Sequence, residues 1–341
     1  MKPTKIHIPD ELKADLPPSR FGKILGATPV VMAVVATMLA GLASSEMTKA
    51  QYDRSLGAQQ QSKAGDQWSF FQAKRLRGAI QRNTADLLQT TTEVHAFEPS
   101  AVEKLTSQFP NEGGSNSLGK ALSAVIDSPA GRSALVVLAS GQAPPSGPSQ
   151  VLDPAINAAV EGVETSTPDA ELASVINQVD QQRLDAALRS ARERAQGFDD
   201  STKAINQAID QLDDLLGRLA LGRARAAAAQ SAADPGDLVA ALTRDFTAAR
   251  LRYASQRYEI EARFNQTIAN LYEIQVRKSN IAAQHHHRRS QRFFFGMLGA
   301  QAGVIISTLA MAAKNRNLLW SIAAAAGLVA VAFAVYVFLY V

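Results

Sequence analysis

Two long uncharged stretches at the C-terminal end constrain this chain more than any other feature. After Arg292 come 21 residues without a charge, 293–313. Lys314-Asn315-Arg316-Asn317 follows, and then 24 more uncharged residues, 318–341. Roughly 20 apolar residues in a helix cross a hydrocarbon core. Backbone groups in lipid must be satisfied within their own segment, so each stretch is predicted to be a transmembrane helix. The four polar residues between them make the pair a helical hairpin.

A third such segment lies near the start. Residues 24–45 read ILGATPVVMAVVATMLAGLASS and carry no charge. They predict a first transmembrane helix, with Pro29 tolerated near its beginning. The rival reading is a cleaved signal peptide with Gly41-Leu42-Ala43 as its cleavage site. The apolar run is longer than the usual signal core of about 7–15 residues, which favours the membrane helix. Residues 1–23 form a polar tail in which Pro3, Pro17 and Pro18 discourage helix.

The rest of the chain is polar and reads as all-α. Alanine is abundant and aromatics make up 6%, a composition that suits long helices. Residues 46–95 predict an ascending stalk helix with Met47, Tyr52, Leu56, Trp68, Phe71, Leu76 and Ile80 at loosely helical spacing. Glycine- and proline-rich breakers at 110–115 and 141–148 mark 96–150 as a flexible insertion with short helices. Asp153-Pro154, Thr167-Pro168 and Asp234-Pro235 each place a capping side chain before a proline at the first helical position. Over 151–235, a helical bundle segment, Ile205, Ile209, Leu212, Leu216 and Leu219 step by 4, 3, 4 and 3, a short coiled-coil-like stripe. Asp199-Asp200 reads as a helix start, where acids meet the positive end of the dipole. From 236 to 292, Leu242, Phe246, Ala249, Tyr253, Ile260, Phe264, Ile268 and Leu271 mark a returning stalk helix.

Nothing between 46 and 292 is predicted to span, so the first and second membrane helices reach one surface. The helix leaving the first and the helix entering the second then run antiparallel. At 1.5 Å per residue each reaches roughly 60–80 Å. Counting outward from Ser45 and Phe293 places Trp68, Phe70 and Phe71 at the height of Phe264, Ile268, Leu271 and Tyr272.

Ser45-Glu46-Met47-Thr48-Lys49 and Asp66-Gln67-Trp68-Ser69-Phe70-Phe71-Gln72-Ala73-Lys74 resemble a bacterial membrane-protein family, the domain of unknown function 4337. Phe198-Asp199-Asp200-Ser201-Thr202-Lys203 and Leu271-Tyr272-Glu273-Ile274-Gln275-Val276-Arg277-Lys278-Ser279 agree, as does the terminal hairpin. The likeness spans roughly 24–95 and 165–341. It implies one N-terminal and two C-terminal membrane helices around a helical middle. It brings no substrate, cofactor or catalytic residue.

His285-His286-His287 invites a metal reading. Consecutive helical residues point about 100° apart, so three in a row do not converge on one ion. With Arg288, Arg289 and Arg292 they read instead as a collar facing anionic lipid headgroups. Trp68, Phe71, Phe264, Ile268 and Leu271 read as helix packing. Gly299 and Gly303 form a small-xxx-small spacing that lets helices approach, and Gly22 and Gly26 repeat it. The three spans hold no ionisable acid or base, which argues against an ion-coupled transporter. No phosphate-binding glycine loop, HExxH or GxSxG occurs. The sequence holds no cysteine, so disulfides and thiolate chemistry are absent. A net charge of +4 is too small to point to nucleic acid.

The expectation is an all-α integral membrane protein with three transmembrane helices and a long antiparallel, coiled-coil-like stalk. It is expected in a bacterial inner membrane, multi-pass, with membrane lipids and its own copies as partners, and with no enzyme activity, metal or cofactor. Its expected role is a membrane-anchored scaffold or interaction protein. A subunit of an oligomeric channel or transporter is the alternative. Positive-inside arguments conflict. Lys13, Arg20 and Lys23 favour a stalk outside, whereas Lys278, Arg288, Arg289 and Arg292 favour it inside. The denser basic run tips the reading toward a cytoplasmic stalk.

Overall fold

The computed structural model describes residues 20–107, 116–147, 151–230, 237–313 and 316–340. Every regular element among them is a helix: α1 (Arg20–Thr91), α2 (Pro99–Ser107), α3 (Asn116–Asp127), α4 (Pro129–Ser140), α5 (Pro154–Glu164), α6 (Asp169–Gln178), α7 (Gln181–Gln230), α8 (Asp237–Ala312) and α9 (Arg316–Tyr340). Three of these, α1, α8 and α9, contain a segment long and apolar enough to cross a membrane. Each apolar segment continues without a break into the polar helix expected beside it, so α1 joins 24–45 to the ascending helix and α8 joins the returning helix to 293–312. The tail 1–19 and Asp234-Pro235 lie outside the described residues.

The chain divides into two compact units, one of residues 1–59 and 276–341, the other of 60–275. In the first unit the apolar segments of α1, α8 and α9 pack together. Leu39, Ala43, Phe293, Ala300, Ala330 and Val337 are buried there. Small residues make the contact close. A Cβ added to Gly303 would sit 2.2 Å from Met32 Cε, and one on Gly327 would sit 2.4 Å from Met32 Sδ. Met32 therefore fills a hole left by two glycines on two different helices. The Trp320 indole N–H donates to Thr28 Oγ1 at 3.0 Å, tying α9 to α1. Outward-facing side chains such as Val30, Val34, Met38, Ile305, Leu309, Leu328 and Phe338 are exposed. An apolar surface of that kind suits a lipid solvent.

In the second unit α8 is the central rod. Against it α1 runs antiparallel: the Trp68 indole N–H donates to Glu273 Oε1 at 2.7 Å, Lys74 pairs with Glu261, and Arg82 meets Glu259 at 3.2 Å. α7 also runs antiparallel to α8. Gln275 donates to Asp185 at 2.7 Å, and Arg250 pairs with Asp213. Ile205, Ile209, Leu212, Leu216 and Leu219 are all buried, as the 4-3-4-3 spacing requires.

The segment 96–150 departs from the expected flexible insertion. Phe97, Val102, Leu105, Leu122, Ile126, Ala134, Leu135 and Leu138 join α7 and the start of α8 in one hydrophobic core of the unit. α3 and α4 are apolar enough together to suggest a broken span, yet they meet at 83° and spend their apolar faces on this core. Ser128-Pro129 makes the bend. Ser128 Oγ accepts from the Gly131 N–H at 2.9 Å, and proline takes the first helical position. This is the same cap that Asp153-Pro154 makes for α5, where Asp153 accepts from Ala155 at 3.0 Å. A Cβ on Gly131 would lie 1.8 Å from the Val125 carbonyl oxygen. Gly131→Ala is thus expected to push α3 and α4 apart and cost about 3 kcal/mol, read as a lower unfolding temperature of the full chain in detergent.

Two helix starts are corrected. Pro168, not Thr167, occupies the cap of α6, and it has no side-chain bond to offer. Asp199-Asp200 lies inside α7, which begins at Gln181. Asp180 caps it by accepting from the Arg183 N–H at 2.9 Å.

Tyr253 joins α8 to α7 through a 2.9 Å bond to Asn206 Oδ1. Burial pushes its phenol up to about 12. In the unfolded chain the phenol titrates near 10. Between those values the unfolded state loses a proton that the folded state keeps, so stability falls as pH rises through that window. The loss should be roughly 2–3 kcal/mol. Unfolding followed at pH 9.5 and 11.5 should show that part of the decline absent in Tyr253→Phe.

Candidate functional site

On α1 one residue in seven is small and turned to the seam: Ala36, Ala43, Ala50, Gly57, Ala64, Gly78 and Ala85 are buried, with Phe71 as the exception. Residues 32, 39, 46, 53, 60, 67, 74 and 81 alternate with them at steps of 4 and 3. That is a sustained heptad seam. Small side chains let two helix backbones come close. Ser290 Oγ reaches the Ala43 carbonyl at 2.7 Å. A Cβ on Gly57 would lie 3.1 Å from Asn280 Oδ1.

The seam puts an acid where an apolar residue would normally sit. Glu46 follows the uncharged stretch 24–45 directly and is 6% exposed. Its carboxylate gathers three basic side chains. His286 Nδ1 lies 2.6 Å from Oε2, Lys49 Nζ 3.0 Å from Oε1, and an Arg289 guanidinium nitrogen 3.9 Å from Oε1. Asp53, one heptad further on, stands 3.9 Å from His286 Nε2, too far for a hydrogen bond. Burial pushes the Glu46 pKa upward, but the bonds from His286 and Lys49 and the charge of Arg289 outweigh it, so the net shift is downward. Glu46 is thus a carboxylate held in place by its neighbours.

The basic collar expected at 285–292 is divided by this arrangement. His286 and Arg289 turn inward to Glu46. His285 and Arg288 are exposed, and Arg292 is half-buried. The His285 ring stands edge-on to His286 with centroids 5.6 Å apart. Its pKa is lowered, first by burial and then by His286 and Arg289. The His287 ring lies 3.1 Å from the Gln291 side-chain amide, one helical turn further on. Among the described residues no three histidine, aspartate or glutamate side chains group to hold a metal ion.

The packing residues are also distributed unevenly. Trp68 and Phe71 form an edge-to-face pair at 5.4 Å. Ile268 and Leu271 are buried. Phe264 turns to α7, where it meets Phe198 at 5.6 Å. Gly303 receives Met32, while a Cβ on Gly299 would meet nothing within 4 Å.

Sequence spacing alone missed Glu46 and Asp53. The signal that would have found them is the heptad of small residues, which marks its alternate positions as buried. Chemically, the cluster is an ionic clasp between α1 and α8 at the end of their apolar segments.

Comparison with curated proteins and with solved structures returned no match. One family model does match, over residues 21–112. It takes in Ser45–Lys49 and Asp66–Lys74, and leaves out Phe198–Lys203, Leu271–Ser279 and the terminal hairpin. Over 21–112, which takes in nearly all of α1, with α2 and the acid of the clasp, the chain is similar to a domain of unknown function, DUF4337.

Proposed function

We propose that this protein is a multi-pass component of a bacterial inner membrane that acts as a helical scaffold, associates with its own copies and has no enzymatic activity. The three apolar segments anchor it. The outward residues His285, Arg288 and Arg292 face lipid headgroups, and the helical unit of residues 60–275 is the interaction module.

One observation carries the self-association. On α1, outside the apolar segment, Leu76, Ile80 and Leu87 share one helical face and are 63%, 51% and 62% exposed. An aligned apolar stripe in water calls for a partner surface. A second copy of the same stripe is the simplest cover, because an isologous contact is self-complementary. Mass photometry of the full chain in detergent should show a dimer or larger species. Leu76→Glu with Ile80→Glu should shift it to monomer. A wild-type protein that is monomeric at micromolar concentration would remove the reading.

The channel alternative is separated by conductance. Reproducible single-channel events in liposomes would displace the scaffold. A phosphatase or fluorescent protein inserted at Gly147, an exposed glycine with positive φ, would establish the side of the membrane.

A further inference from the structure

Beside the ionic clasp, on the opposite flank of the same helix pair, lies a groove of about 570 Å³. Met47, Phe294, Phe295 and Met297 wall it, and His287 and Gln291 close its polar end. Phe294 is 48% and Phe295 65% exposed. The groove is therefore amphiphilic along its length. Its apolar walls belong to the uncharged stretches, and its polar end lies where those stretches stop.

Two arginines stand further along the two helices, past its polar end. Arg54 is seven residues beyond Met47 on α1, hence on the same face and about 10 Å further along. Arg288 flanks His287 and Gln291 on α8. Both arginines are exposed, and neither makes an ion pair among the described residues. This contrasts with Arg289, which is taken by Glu46. Two unpaired guanidiniums past the polar end of an apolar slot match a molecule with an anionic head and a hydrocarbon tail.

We propose that this groove seats one anionic phospholipid of the surrounding bilayer, with its phosphate under Arg54 and Arg288 and an acyl chain against Phe294, Phe295 and Met297. The proposal rests on the membrane reading above and names the lipid class and the seat. His287 and Gln291 hydrogen-bond near the glycerol level. Glu46, His286 and Arg289 hold the two helices at the spacing the slot requires.

The test uses the full chain in nanodiscs of phosphatidylcholine with one-tenth phosphatidylglycerol. Lipid that co-purifies after detergent exchange is quantified by mass spectrometry. Wild type should retain phosphatidylglycerol at least about fivefold above its share of the bilayer, as expected for one or two headgroup-facing arginines. Arg54→Gln with Arg288→Gln should bring that ratio to about one while leaving phosphatidylcholine retained. Ser44→Trp, on the exposed wall of the groove, should reduce retention of both lipids. No enrichment in wild type, or enrichment unchanged in all variants, overturns the proposal. A Ser44→Cys disulfide between copies in place of lipid enrichment would also overturn it, making the groove a subunit interface. Resistance to alkaline carbonate extraction, measured on the same membranes, separates the two claims. A protein that is extracted loses its membrane reading, whereas an integral one without enrichment loses only the lipid seat.

Discussion

Phe246→Ala is expected to cost about 3–5 kcal/mol, the range for deleting a fully buried phenylalanine. Phe246 is 1% exposed. It sits in the core that joins α2, α3 and α4 to α7 and α8. Its ring meets Phe97 edge-on at 5.8 Å, and Phe97 is also buried. Two terms therefore act together. Transfer free energy and the residual cavity make up most of the loss, and the aromatic pair adds about 0.5–1.5 kcal/mol. Chemical unfolding of the full chain, followed by circular dichroism at 222 nm, reads the change. Phe246→Leu keeps much of the volume and should cost less. A loss near zero would mean that 96–140 is not packed on the long helices, and that the segment is the loose insertion its breakers suggested.

That contrast shows which parts of the fold are written locally. The apolar segments need only a count of missing charges, so all three are legible. The stripe from Ile205 to Leu219 is legible because leucine and isoleucine are unambiguous at 4-3 spacing. The seam of α1 is not, because alanine and glycine give almost no apolar signal. Their period of seven is visible only when small size, rather than hydrophobicity, is scored. The breakers around 110 and 144 dominate the reading of 96–150, although the residues between them supply Val102, Leu105, Leu122 and Leu138 to the core. Asp180 is a single acid and marks the start of α7 less plainly in sequence than the pair Asp199-Asp200. In the ionic clasp, the basic half is legible as a run at 285–292. Its acid lies 240 residues away from His286 in sequence, and no spacing rule connects them.

Glu46→Gln should cost about 3 kcal/mol, toward the lower end for removing one partner of a buried charge cluster. The amide keeps the shape of the carboxylate and one acceptor, so packing on the seam changes little. What it loses is the negative charge that His286, Lys49 and Arg289 converge upon. Those groups are then left beside one another with Asp53 as the remaining acid, and it lies 3.9 Å from His286. Acid should reproduce the substitution. The folded-state pKa of Glu46 is lowered from 4.5, so the unfolded chain takes up the proton first as pH falls. The clasp then contributes its full stability above about pH 4.5 and loses it progressively below, as pH falls through the folded value. Wild type and Glu46→Gln unfolding free energies measured between pH 7 and pH 3 should therefore converge toward low pH, with the gap widest near neutrality. Parallel curves would mean that the carboxylate does not act through its charge. Glu46→Gln/His286→Leu supplies the second arm: replacing the imidazole by an apolar side chain beside the neutral amide should recover part of the loss. Without that recovery, the cost lies in the seam itself and not in the uncompensated charges.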